Sequence, residues 1–111
     1  VEVARSLGIV INSSKICGGG AKSGLWKKMI ANILNAELEC LESEQGPGMG
    51  GAMLAMVACG DYPDVQSVCG QLVRVASTVK PQPELVAKYE ARYQQFKKIY
   101  PAVKALFPEI Q

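Results

Sequence analysis

The sequence predicts an α/β domain: a short sheet flanked by helices, with a long amphipathic helix at the C-terminal end. Three observations carry that expectation. Leu25, Met29, Ile30, Ile33 and Leu34 recur at helical spacing. Glu37-Leu38-Glu39-Cys40-Leu41-Glu42 alternates polar and apolar, the period of a strand with one wet face. Lys15-Ile16-Cys17, a short strand candidate, runs directly into Gly18-Gly19-Gly20. Strand, glycine turn, helix and strand in that order describe an α/β unit.

In chain order, Val3, Ala4 and Leu7 share a helical face, and Gly8 supplies a stop. Ile9-Val10-Ile11 is a β-branched run, followed by a turn-like Asn12-Ser13-Ser14. Ser23 can cap a helix that starts near Gly24 or Leu25 and runs to about Asn35. The alternating strand follows, and its acidic face suggests an edge or a one-sided sheet. After a turn, Ala52–Ala58 is apolar on every face, so a helix there needs cover on several sides. Val65, Val68, Leu72, Val73 and Ala76 place a further helix over 65–77. Lys80-Pro81-Gln82-Pro83 breaks the chain. Glu84–Phe107 then reads as one amphipathic helix, with Pro101 kinking or breaking it. Two strands are few for a sheet, and with the over-apolar helix they suggest a sheet continued in other sequence.

The 111 residues suit one small domain or a piece of a larger one. With 49% hydrophobic and 20% charged residues the chain is not of the disordered class. A net charge of +2 gives no argument for nucleic acid or an anionic membrane. Histidine is absent, which removes histidine-based triads, bases and zinc ligands from this sequence. The longest uncharged stretch, Gln45–Gly60, is broken by glycines and a proline and is too short for a bilayer span. The opening Val1-Glu2-Val3-Ala4-Arg5 has neither Met nor a secretion-signal pattern, which reads as a chain that starts partway into something. Cys17, Cys40, Cys59 and Cys69 are irregularly spaced and read as reduced, buried, small hydrophobes, in keeping with the cytoplasm.

The chemistry concentrates at Ile16–Trp26. Glycines let a ligand lie against bare backbone and permit positive φ, and a helix start presents free N–H groups to phosphate or nucleotide. The alternative is a tight strand-to-helix turn without a ligand. A phosphate-cradling P-loop is excluded, because Ala21 precedes Lys22 and the earlier glycine spacing fails. Gly46-Pro47-Gly48-Met49-Gly50-Gly51 formally matches G-x-G-x-x-G, but no acidic-ended strand follows at the dinucleotide spacing. Close helix packing on small residues is its alternative. Asp61 and Asp64 flank Tyr62-Pro63 and suit a turn or a helix cap better than acid–base work. Trp26 and the tyrosine stripe follow helical spacing and read as packing.

Three blocks in order resemble one family. Gly-Gly-Gly-Ala-Lys-Ser-x-Leu-Trp at Gly18–Trp26 is followed by Gln-Gly-Pro-x-x-Gly-x-Ala-x-Leu-Ala from Gln45, and by Tyr89-x-x-Arg92-Tyr93 with Ile99-Tyr100-Pro101-Ala102-Val103-Lys104. Together they resemble the C-terminal domain of the FGGY carbohydrate kinases, the last block especially the xylulokinase branch. The resemblance implies an actin-like, ribonuclease H-like fold with two lobes around a cleft, of which residues 1–111 supply part of the ATP lobe. It implies transfer of the γ-phosphate of ATP to a sugar hydroxyl, D-xylulose foremost, with Mg²⁺. By motif match, Gly18, Gly19, Gly20 and Ser23 meet the adenosine part of ATP, with Lys22 beside them. Relatives often carry Asn and Pro where this chain has Ser23 and Gly24. The family's catalytic aspartate and sugar contacts fall outside the matched blocks, so no catalytic residue is expected in this chain. A non-catalytic nucleotide-binding or assembly module and a dinucleotide domain built on Gly46–Gly51 stay open as alternatives, as does a homodimer.

Overall fold

In the computed structural model, which describes residues 1–42 and 46–110, three strands carry the domain in the spatial order β1-β2-β3. Helix α1 (Glu2–Ser6) leads into β1 (Ser13–Ile16), and Gly19–Lys22 then form a 3-10 turn. Helix α2 (Gly24–Leu34) crosses back to β2 (Glu37–Leu41), which pairs parallel with β1. Strand, crossover helix and parallel strand thus form a βαβ unit. Helices α3 (Gly46–Ala58) and α4 (Val65–Leu72) lead to β3 (Val75–Val79), which returns antiparallel on the other side of β2. Helix α5 (Pro83–Phe96) lies against α2, and α6 (Ile99–Val103) ends the helical tail with a 3-10 segment over Lys104–Ile110.

Local chemistry explains the boundaries of α2. The Ser23 hydroxyl accepts from the Trp26 N–H at 3.2 Å and caps the start, as the sequence predicts. Asn35 ends the helix in the left-handed region at φ 45, a conformation that asparagine tolerates. Asp64 caps α4 in the same way, accepting from the Ser67 N–H at 2.7 Å. In β2, Leu38 and Cys40 face inward and are buried, whereas Glu37 and Glu39 face the wetter side. Glu39 meets Lys15 directly across the strand pair at 2.7 Å.

Several expectations are corrected. The acidic alternation does not mark an edge, because β2 is the central strand; its one-sidedness holds. The helix expected over 65–77 stops at Leu72, and Val75–Val79 becomes a strand. Pairing with the otherwise open side of β2 outweighs the helical spacing of Val73 and Ala76. Ser13 and Ser14 belong to β1 rather than to a turn. The long C-terminal helix is broken after Phe96, earlier than Pro101, and Pro101 sits in the first turn of α6, where its missing N–H costs nothing. Of the four cysteines only Cys40 is buried; Cys69 is half-buried, and Cys17 and Cys59 are exposed free thiols. Gln45, which opens the Gln-Gly-Pro block, lies outside the described residues.

The chain leaves much apolar surface open. Its accessible area is 8252 Å², against roughly 5,900 Å² for a compact protein of this mass. Its radius of gyration is 18.7 Å, against about 13 Å for a compact domain. Helix α3 buries only Met53 among its described side chains, and Leu54 stays 59% exposed. Along α5 and the tail, Leu85, Tyr89 and Tyr93 are half-buried, while Phe96, Tyr100 and Phe107 are exposed.

Candidate functional site

The glycine turn sits at the carboxyl end of β1, where the chain swings into the crossover helix. Ligands of open α/β sheets bind at this end of parallel strands. Gly18 adopts φ 86, ψ −174, a combination essentially reserved to glycine. Its carbonyl accepts from the Ala21 N–H at 3.0 Å, and the Gly20 carbonyl accepts from the Ser23 N–H at 3.3 Å. Ala21 points inward and is 4% exposed, which anchors the turn. Gly18, Gly19, Gly20, Lys22 and Ser23 are all exposed. The five residues of the motif therefore form one contiguous open surface at the head of α2.

The three glycines are there for different reasons. Gly18 serves the backbone angle. At Gly20, a Cβ would lie 2.7 Å from both Cδ1 and Nε1 of Trp26, so a side chain there would displace the indole. At Gly19 no atom lies within 4 Å of an added Cβ, and φ is not in the positive range. Neither strain nor crowding within the chain demands glycine there. Ser23 spends one oxygen lone pair on the Trp26 N–H and keeps its hydroxyl proton to donate.

The sequence reading missed the contact of Trp26 with the turn. Side chains in the first turn of a helix lean back toward its N-terminus, and that rule was enough to place the indole over Gly20. The G-x-G-x-x-G segment lies within the first half of α3. The strand that follows, β3, runs antiparallel to β2, so this segment does not open the parallel βαβ unit of a dinucleotide site.

The other polar clusters lie apart from the turn. Asp64 is a helix cap whose carboxyl is held below its usual range by the backbone N–H of Ser67. Where α1 meets α5, the Glu2 carboxylate accepts from Lys97 at 2.6 Å and from the Tyr93 hydroxyl at 2.5 Å. The Lys97 hydrogen bond, then that of Tyr93, lowers the Glu2 pKa; both partners are pushed up by Glu2 in return. Beside this cluster a cleft of about 440 Å³ is lined by Glu2, Arg5, Ile33, Leu34, Glu90 and Tyr93, among others. It lies at the far end of α2 from the glycine turn, about 15 Å along the helix axis at 1.5 Å per residue. Asn32, buried at 2% exposure, donates to the Lys28 carbonyl and accepts from the Gln82 N–H at 2.7 Å, which locks α5 onto α2.

Comparison with known proteins agrees with this architecture. The model of the FGGY family of carbohydrate kinases, C-terminal domain, matches residues 1–59, which span α1 through α3 and include the glycine turn. This chain belongs to the FGGY family of carbohydrate kinases. A xylulose kinase from Bacillus subtilis is 36% identical over 106 residues, covering 96% of this chain and 21% of that protein. The structure of a ligand-bound xylulose kinase from Lactobacillus acidophilus superposes with a TM-score of 0.81 at 23% identity, over 89% of this chain and 20% of that one. A xylulose kinase from Brucella ovis superposes at 0.79 with 32% identity, over 95% and 22%. The α/β fold is thus that of the FGGY sugar kinases, of the actin-like ATPase type. The chain spans about a fifth of the length of the relatives it matches.

Proposed function

We propose that this chain supplies the nucleotide-binding turn of an ATP-dependent sugar kinase acting on D-xylulose and yielding D-xylulose 5-phosphate. The observation that carries the reading is the open turn at Gly18–Ser23, set at the carboxyl end of a parallel strand in an FGGY C-terminal domain. The bare backbone of Gly19 lets adenosine approach closely, and the Ser23 hydroxyl and Lys22 stand at its rim. The α2 start adds partial positive charge on the phosphate side. Phosphoryl transfer rests on positioning and charge stabilisation, so the role of this chain is to hold the donor still. The general base and the sugar contacts come from the rest of such a kinase.

Mg²⁺ travels with ATP in this chemistry. Among the described residues no three His, Cys, Asp or Glu side chains converge. No helix among the described residues is long and apolar enough to cross a membrane. A kinase drawing on the ATP pool works in the cytoplasm, which suits four unpaired thiols.

The test is ATP-dependent phosphorylation of D-xylulose, measured beside other ketoses, by the full-length kinase that contains this sequence. Turnover of D-xylulose with the highest kcat/KM supports the reading. Turnover of another ketose in preference revises the substrate. Absence of ATP-dependent transfer to any sugar overturns the reading.

A further inference from the structure

Trp26 ties the glycine turn to α2 through a closed circuit of contacts. The Gly20 carbonyl accepts from the Ser23 N–H, the Ser23 hydroxyl accepts from the Trp26 N–H, and the Trp26 indole returns to press on Gly20. The pyrrole edge of the ring, Cδ1 and Nε1, occupies the space that a side chain at residue 20 would fill. The residue is 51% exposed, so it is not a core anchor. Leu25 beside it is more exposed still, at 71%. An indole held half in water over a glycine backbone shapes that backbone rather than filling a core.

We propose that Trp26 is a positioning residue for the nucleotide, holding the Gly19–Gly20 segment in its ATP-receptive shape. The proposal rests on the assignment of Gly18–Ser23 as the nucleotide site and names what sets the affinity of that site. Gly20 is glycine for the sake of the indole, and Gly19 is glycine for the sake of the ligand. Loss of the indole lets the turn relax away from its receptive form without disturbing the sheet. A methyl group at residue 20 has the same result, because it drives the indole outward.

The experiment compares Trp26→Leu, Trp26→Phe, Gly20→Ala and the Trp26→Leu/Gly20→Ala double variant in the full-length kinase. ATP and sugar affinities are measured by equilibrium binding, with the melting temperature alongside. Trp26→Leu and Gly20→Ala are each expected to weaken ATP about tenfold, the scale of coupling between residues in contact, with sugar affinity and melting unchanged. The double variant is expected to be no worse than the weaker-binding single, because both changes break one contact. Trp26→Phe should recover part of the loss. Unchanged ATP affinity in Trp26→Leu, losses that multiply in the double variant, or parallel losses for ATP, sugar and melting would each overturn the proposal. Gly19→Val separates the two levels. If it weakens ATP and Trp26→Leu does not, only the positioning role falls. If Gly19→Val leaves ATP affinity intact, the site assignment falls and the positioning role with it.

Discussion

Gly19→Val isolates the ligand from the fold. Residue 19 has no atom within 4 Å of an added Cβ, and its φ is not in the region that strains L-residues. An exposed substitution of that kind changes stability by no more than about 0.5 kcal/mol. The isopropyl group nevertheless stands on the open surface where adenosine would lie. Loss of about 1.4 kcal/mol of contact corresponds to tenfold in affinity, so ATP should bind about tenfold more weakly or worse. Gly18→Ala is the counterpart: its backbone at φ 86, ψ −174 is close to glycine-only, and forcing alanine there costs about 1–3 kcal/mol of stability whether or not ATP is present. The assay is calorimetric titration of ATP and of xylulose into each full-length variant, with thermal melting. Gly19→Val should lose ATP and keep sugar and melting; Gly18→Ala should lose melting first. A folded Gly19→Val variant with unaltered ATP affinity would refute the reasoning.

Three further outcomes follow from the same contacts. Asn32→Ala removes the buried acceptor of the Gln82 N–H and should cost about 1–3 kcal/mol in denaturant unfolding, whereas a change below about 0.5 kcal/mol would contradict the lock between α2 and α5. The Glu2–Lys97–Tyr93 tie should hold α1 fully above the usual carboxyl pKa of 4.5 and be lost as pH falls through the lowered Glu2 value. It should also weaken as pH rises through the raised Tyr93 and Lys97 values, above 10.0 and 10.5. Amide exchange in α1 reads both limbs, and Glu2→Gln retaining the acid limb would contradict the assignment. The 111 residues alone should bind an apolar-surface dye or self-associate, and should not phosphorylate xylulose. A clean, dye-silent monomer would count against the uncovered apolar faces.

The local elements were legible where local chemistry decides them. The cap at Ser23, the end of α2 near Asn35 and the alternation of Glu37–Leu41 follow from neighbours a few residues apart. Strand β3 was not legible, because Val75–Val79 is a strand only by pairing with β2 across more than thirty residues, as in Leu38 with Val79. Its side chains are mostly exposed and show no inward alternation. The glycine turn was legible as a candidate site from composition alone. The division of labour among Gly18, Gly19 and Gly20 was not, since it depends on one backbone angle and on where the Trp26 ring lies. Burial of Cys17 and Cys59 is what their apolar neighbours in sequence suggest, yet both are exposed.

The most direct measurement is the structure of the full-length kinase with a non-hydrolysable ATP analogue. The account predicts the adenosine moiety in van der Waals contact, within about 4 Å, with the backbone of Gly18–Gly20. Nucleotide bound elsewhere, for instance in the cleft beside Glu2 and Arg5 at the other end of α2, with the glycine turn bare, would contradict it.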